Sequence, residues 1–232
     1  MSSTVNIDSF LICLEKLFKE NANPEIARKQ SDYMKNHFHF LGIQKPLRKS
    51  LLQSTLNELS IQNESIFVNI LNQLWHKEQR EFHYTACDIA EKYLILASSQ
   101  TIPFFEKMVR TKSWWDTVDK IASNLLGPTI LRYPKSKLIM DDWIRDSNIW
   151  IRRSALLFQL RYKEKTDEEV LFKYCRQTMH EKEFFIQKAI GWALREYSKT
   201  SPRSVINFID KYRSKLSSLS TREGSKIILK GQ

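Results

Sequence analysis

Three short stretches decide the fold: Ser113-Trp-Trp115, Asn148-Ile-Trp150 and Glu183-Phe-Phe185. Each sets a capping or acidic residue two places before an aromatic, and they begin at 113, 148 and 183, a spacing of 35 residues each time. The segment from Glu81-Phe82 reads as a fourth, degenerate copy. Each unit divides into two helical stretches, 135–145 with 148–163 and then 167–180 with 183–199. A period of this size built from helix pairs predicts an all-α chain of the α-solenoid type, in which each pair stacks on its neighbours. Such a stack curves, so one helix from each pair is expected to line a concave face.

Working outward, the rest of the chain agrees. Apolar residues recur at helical spacing, as in Phe10, Leu11, Leu14, Leu17 and Phe18, or in Ile66, Ile70, Leu71, Leu74 and Trp75. Asn23-Pro24, Lys45-Pro46, Thr101-Ile-Pro103 and Ser201-Pro202 mark helix starts. The 232 residues contain only 5 Gly and 6 Pro, too few for a turn-dense β-sandwich or barrel. With 13 Phe, 8 Tyr and 6 Trp the chain can fill a large core. About a dozen helices, no strand and no linker are expected, hence one domain over 1–232.

The net charge of +11 points to a polyanionic partner, nucleic acid first and a membrane surface second. Met1 to Asp8 lacks a basic leader, so no signal peptide is expected, and no apolar run approaches the roughly 18 residues of a membrane span. Cys13, Cys87 and Cys175 are odd in number and far apart, which argues against a disulfide frame or a zinc site. A cytoplasmic protein without metal or other cofactor is the expectation.

Chemistry concentrates in Ser113-Trp-Trp-Asp-Thr-Val-Asp119. Ser113 is expected to cap the helix, with Asp116 completing a box-like arrangement. Asp119 lies four residues after Trp115 and shares its face, while Trp114 and Val118 share another. Spacing alone leaves both arrangements open: Trp115 in the core with Asp119 paired to a cation, or Trp115 and Asp119 turned toward a groove. Carrying the Trp115 register forward one and two periods gives Trp150 and Phe185, on helices that also carry Arg152, Arg153, Lys188 and Trp192. A carboxylate, two indoles and a guanidinium converging there would suit a sugar, a base or a phosphate.

These residues carry a resemblance. Four stretches, Tyr33 to Pro46, Lys112 to Asp119, Asn148 to Leu160 and Lys182 to Tyr197, resemble in order and spacing the DNA alkylation repair enzymes of the AlkD-like family, DNA glycosylases built from HEAT-like helical repeats. The resemblance covers nearly the whole chain. It implies that Asp119 is the catalytic carboxylate and that Trp115 and Trp192 cradle the lesion nucleotide. It further implies that Arg153 holds a phosphate and that Tyr33 approaches the DNA. Lys188 and Arg152 join them as expected DNA contacts. The implied partner is duplex DNA carrying alkylated purines, bound by a monomer and at the nucleoid when engaged. The contrasting reading is a helical-repeat protein that binds damaged or unusual DNA without cutting it; a carboxylate in a basic groove repels phosphate and so argues for catalysis. From Lys199 onward eight basic residues face Asp210 and Glu223, a local net of +6 that reads as a further phosphate-tracking surface.

Overall fold

The computed structural model describes residues 7–56 and 59–227. Among these, every regular element is helical, and extended pairing is confined to an isolated parallel bridge between His39 and Gln79. The chain divides into two compact units, Met1–Ala97 and Ser98–Gln232.

The first unit contains α1 (Ile7–Glu20), α2 (Pro24–Tyr33), α3 (Lys45–Leu56), α4 (Glu64–His76) and α5 (Arg80–Lys92). Asn23 caps α2, its side chain accepting from the Ile26 N–H at 3.0 Å, with Pro24 in the first turn. Phe10, Leu11, Leu14 and Phe18 bury one face of α1; on α4 Phe67 joins Ile70, Leu71, Leu74 and Trp75 in the core, while Ile66 stays half-buried. The loop between α2 and α3 is held from below by Glu81. Its buried carboxylate accepts the consecutive N–H groups of Leu41 (3.0 Å), Gly42 (2.9 Å) and Ile43 (3.1 Å). Gly42 is required there: its φ is +84°, and a Cβ would stand 2.0 Å from the Asn23 carbonyl oxygen. Much of the Tyr33–Pro46 motif is therefore occupied in building this unit.

The second unit runs through α6 (Ile102–Arg110), α7 (Trp115–Lys120), α8 (Gly127–Arg132), α9 (Ile139–Trp143), α10 (Ile149–Leu157), α11 (Glu168–Thr178), α12 (Phe184–Tyr197), α13 (Pro202–Lys211) and α14 (Ser218–Ser225). A π-helical turn, Ile121–Leu126, joins α7 to α8. The expected pair 167–180 with 183–199 is present as α11 and α12, but 135–145 is a 3-10 turn, Pro134–Leu138, followed by the five-residue α9, and α10 ends before the residue 163 read from the sequence. The cause is the Gln159 side chain, which accepts the Asp167 N–H at 2.8 Å and donates to the Asp167 carbonyl at 3.2 Å, closing the loop early.

The repeat is visible in the helix starts. The second helices of successive pairs begin at Arg80, Trp115, Ile149 and Phe184, spaced 35, 34 and 35. The period holds, but the register differs by one from that carried forward by the aromatics: Trp115 corresponds to Ile149 and Phe184, not to Trp150 and Phe185. Ser113 is also not the cap. Trp114 takes that place in an extended conformation (φ −160°, ψ 159°), and the Ser113 hydroxyl donates to the Val109 carbonyl at 2.5 Å. Within the second unit, polar bonds join neighbouring repeats at about one period. Arg110 grips Asp146, the Tyr162 hydroxyl donates to the Gly127 carbonyl at 2.7 Å, and the Ser220 hydroxyl donates to the Gln187 carbonyl at 2.8 Å.

Candidate active site

Trp114, Trp115 and Asp119 are all half-buried, and the two faces of α7 differ in what they touch. Val118 is fully buried, and the Trp114 ring packs against Trp150 at 5.5 Å and Phe185 at 5.2 Å between centroids, with Trp150 and Phe185 4.8 Å apart. The cluster takes Trp150 and Phe185 from the 35-residue signal but Trp114 rather than Trp115, so the third aromatic of the sequence pattern stands outside it. Trp115 and Asp119, one turn apart on the other face, are each left half-buried.

Asp119 and Arg153 stand at the fifth position of α7 and α10, and the stacking of those helices brings them together. The Arg153 Nε donates to Asp119 Oδ1 at 2.6 Å and Nη2 to Oδ2 at 2.8 Å, a two-point fork. A third donor, Nη1, reaches the Phe185 carbonyl oxygen, and the guanidinium lies 5.8 Å from the Phe185 ring centroid. The Arg153 side chain is 3% exposed and that of Asp119 13%. Burial pushes the Asp119 carboxyl above the usual aspartate range; the Arg153 fork pulls against that rise, and the nearby Asp116 charge adds to it. The result is a fixed, poorly hydrated carboxylate beside an indole, a negative charge held in one orientation.

The other expected site residues lie as follows. Arg153 does not present its guanidinium to solvent as a phosphate ligand would; it is buried against Asp119 and the Phe185 carbonyl. Arg152, its neighbour, forks onto Glu181 at 2.8 to 3.2 Å and donates to the Asp146 and Ser147 carbonyls, tying the loop before α10 to the next repeat. Lys188 occupies on α12 the place that Asp119 and Arg153 hold on theirs, and it pairs with Glu223 of α14 at 2.9 Å. Arg195 at 2.8 Å and Lys226 at 3.0 Å surround the same carboxylate, which is pulled down to about 2, led by the Lys188 bond. Trp192, four residues beyond Lys188, is half-buried. Tyr33 is in the first unit, 69% exposed at the end of α2. Of the basic C-terminal residues, Lys199 pairs with Glu196 and Arg213 with Asp210, while Lys230 lies outside the described residues, as do Met1 to Asn6.

Sequence reading overlooked Glu181, Glu223 and the Phe185 carbonyl. For Glu223 a signal existed, an opposite charge one full repeat away at Lys188, 35 residues before it; Arg152 with Glu181 (29 residues) falls short of the period and leaves none. A backbone carbonyl leaves no such trace. Among the described residues no group of three or more His, Cys, Asp or Glu side chains could hold a metal ion, and no helix is long and apolar enough to cross a membrane.

Stacked helix pairs with an Arg-clamped carboxylate one turn from an indole, in a strongly basic chain, define the class: a helical-repeat protein with charge pairs buried between its repeats. The comparisons carry this further. The family model for the DNA alkylation repair enzyme matches residues 14–228, and the chain belongs to that family. Among solved structures, the "predicted DNA alkylation repair enzyme" of Enterococcus faecalis is 37% identical with a TM-score of 0.83, over 90% of this chain and 97% of that one. The Pseudomonas fluorescens alkylpurine DNA glycosylase AlkC, bound to DNA containing an abasic site analogue, shares the fold at 12% identity and a TM-score of 0.54, over 97% of this chain and 63% of that one. Among curated protein sequences no match is found.

Proposed function

We propose that this protein is a monofunctional DNA glycosylase of the AlkD-like kind, releasing N3- and N7-alkylated purines from duplex DNA and leaving an abasic site. The observation that carries the reading is the Asp119 carboxylate, oriented by the Arg153 fork beside Trp115 in a chain of net charge +11. A protein that only holds phosphate gains nothing from such a charge.

The chemistry suits the lesion. An N3- or N7-alkylpurine is already cationic and leaves as a neutral base, so the departing group needs little acid catalysis. The demand falls on C1′ of the deoxyribose, which gains positive charge as the N-glycosidic bond breaks, as sugars do in glycoside hydrolysis. Asp119 supplies the countercharge, and it orients the water that adds to C1′ and accepts its proton. Trp115 and Trp192 bracket the sugar and backbone, the indole faces turned to the cationic nucleotide. Arg153 acts on the nucleotide through Asp119, as a positioning residue. Lys188 and Arg152 in the second unit and Tyr33 in the first are the expected DNA contacts, Arg152 reaching a phosphate only by leaving the Glu181, Asp146 and Ser147 oxygens that hold it. Both units serve one DNA-binding domain over 1–232, working as a monomer on DNA in the cytoplasm, with the base left outside any enclosing pocket.

Incubating the protein with DNA methylated at purine N3 and N7 and assaying the free bases tests this. Release of methylpurine with abasic sites in equal amount is expected; strand binding without any released base would overturn it in favour of a non-cutting DNA binder.

A further inference from the structure

Phe184 is an exposed aromatic at the edge of the site. It is 57% exposed at the first position of α12, one residue from the Phe185 carbonyl that completes the hydrogen bonds of Arg153. Its ring meets Phe185 edge-on, with centroids 5.4 Å apart at 79°. Phe185 is itself fixed by Trp114 and Trp150. The exposed ring thus stands on backbone held by the same residues that hold Asp119 and Arg153.

The repeat register sharpens its meaning. Phe184 occupies on α12 the place that Trp115 occupies on α7, each the first residue of its helix after an extended cap. Four residues on in each helix comes a charged side chain, Asp119 in one and Lys188 in the other. Phe184, Lys188 and Trp192 follow at successive intervals of four, so one face of α12 offers ring, cation, ring, about 6 Å apart along the axis. Aromatics along one helix face suit a nucleic-acid strand, the rings taking sugars and base faces; the Lys188 ammonium between them is shared with the Glu223 carboxylate at 2.9 Å. At Phe184 the exposed Lys182 and Glu183 offset each other in charge, and an apolar ring offers a phosphate no hydrogen bond, which leaves a base or a sugar as the object of contact.

Resting on the glycosylase reading above, we infer that Phe184 is a lesion-flanking contact, its ring packing on the base or deoxyribose of a nucleotide next to the damaged one. Stacking is already weakened at such a step, so an apolar ring can replace a lost neighbour at small cost. An intact step offers no such opening. Phe184 therefore adds selectivity for disturbed duplex rather than general affinity, which the basic residues supply.

The test uses the full chain as wild type, F184A and F184W, each checked for an unchanged melting temperature. Binding is measured by fluorescence anisotropy to two duplexes of one sequence, one intact and one carrying a tetrahydrofuran abasic analogue with 2-aminopurine beside it. F184A is expected to lose about tenfold in affinity for the abasic duplex, the scale of one stacked base, and no more than about twofold for the intact one. F184W is expected to keep the preference, and 2-aminopurine quenching by the wild type is expected to vanish with F184A. An F184A protein that binds both duplexes like wild type, or that loses both equally with quenching intact, overturns the inference. Failure of the glycosylase reading shows separately, as a wild-type protein that releases no methylpurine.

Discussion

At the scale of single residues, Asp119 is held ready by a partner that the sequence does not pair with it. The sequence places Asp119 one helical turn after Trp115 and on the same face. Its partner was not legible, because Arg153 lies 34 residues on, and only the stacking of α7 on α10 shows that these two side chains meet. The pairing has two measurable consequences. In the proposed reaction the ionised carboxylate is the active form, and burial raises its pKa, so base release should fall as pH drops through a value above the ordinary aspartate pKa of about 3.9. Arg153→Gln removes the charge that pulls this pKa down, and the acid limb of the pH–rate profile should then move to higher pH. An unmoved limb would show that Arg153 does not set the ionisation of Asp119. Arg153→Ala should also cost about 3–5 kcal/mol of stability in denaturant titration, because it strands a buried carboxylate.

At the scale of elements, helix starts were readable wherever Asn or Pro marks them, as at Asn23-Pro24, and unreadable where an aromatic serves as the cap. Ser113 looked like a cap and is not, since the Trp114 ring is drawn into the cluster with Trp150 and Phe185 and carries the backbone into the extended conformation. Contacts between elements were hidden for a similar reason. Gly127 lets one repeat lie against the next, where a Cβ would stand 2.1 Å from the Phe158 carbonyl oxygen. Gly127→Ala should therefore lower stability by several kcal/mol, well beyond the roughly 1 kcal/mol typical of a point substitution, as read in thermal unfolding. The packing of α14 on α12 makes a pH prediction. Glu223 sits among Lys188, Arg195 and Lys226 with its pKa lowered to about 2. Its contribution to stability is present above the unfolded glutamate value of about 4.3 and is lost as pH falls from there through about 2. Glu223→Gln should flatten the stability profile in that window; a profile unchanged from wild type would remove the cluster from the account.

At the scale of the whole molecule, composition and period were enough to give an all-helical repeat protein, because scarce Gly and Pro and a recurring 35-residue signal leave few alternatives. They do not show which basic residues face outward. Lys199, Arg213 and Lys226 lean on acidic neighbours, so the +6 of the C-terminal segment overstates the charge open to a ligand. What remains should still govern binding. The logarithm of the association constant for duplex DNA should fall linearly with the logarithm of salt concentration, by about 0.9 for each phosphate neutralised. Affinity indifferent to salt would contradict the assignment of the net charge to DNA.

In the proposed glycosylase Asp119 performs the chemistry and the rest of the chain presents the duplex to it. Single-turnover release of methylpurine by Asp119→Asn, with binding to the same duplex measured alongside, tests this most directly. The account predicts a rate lower by about 100-fold or more with binding retained or improved, since the substitution removes the countercharge and keeps the shape. Release at the wild-type rate would contradict it.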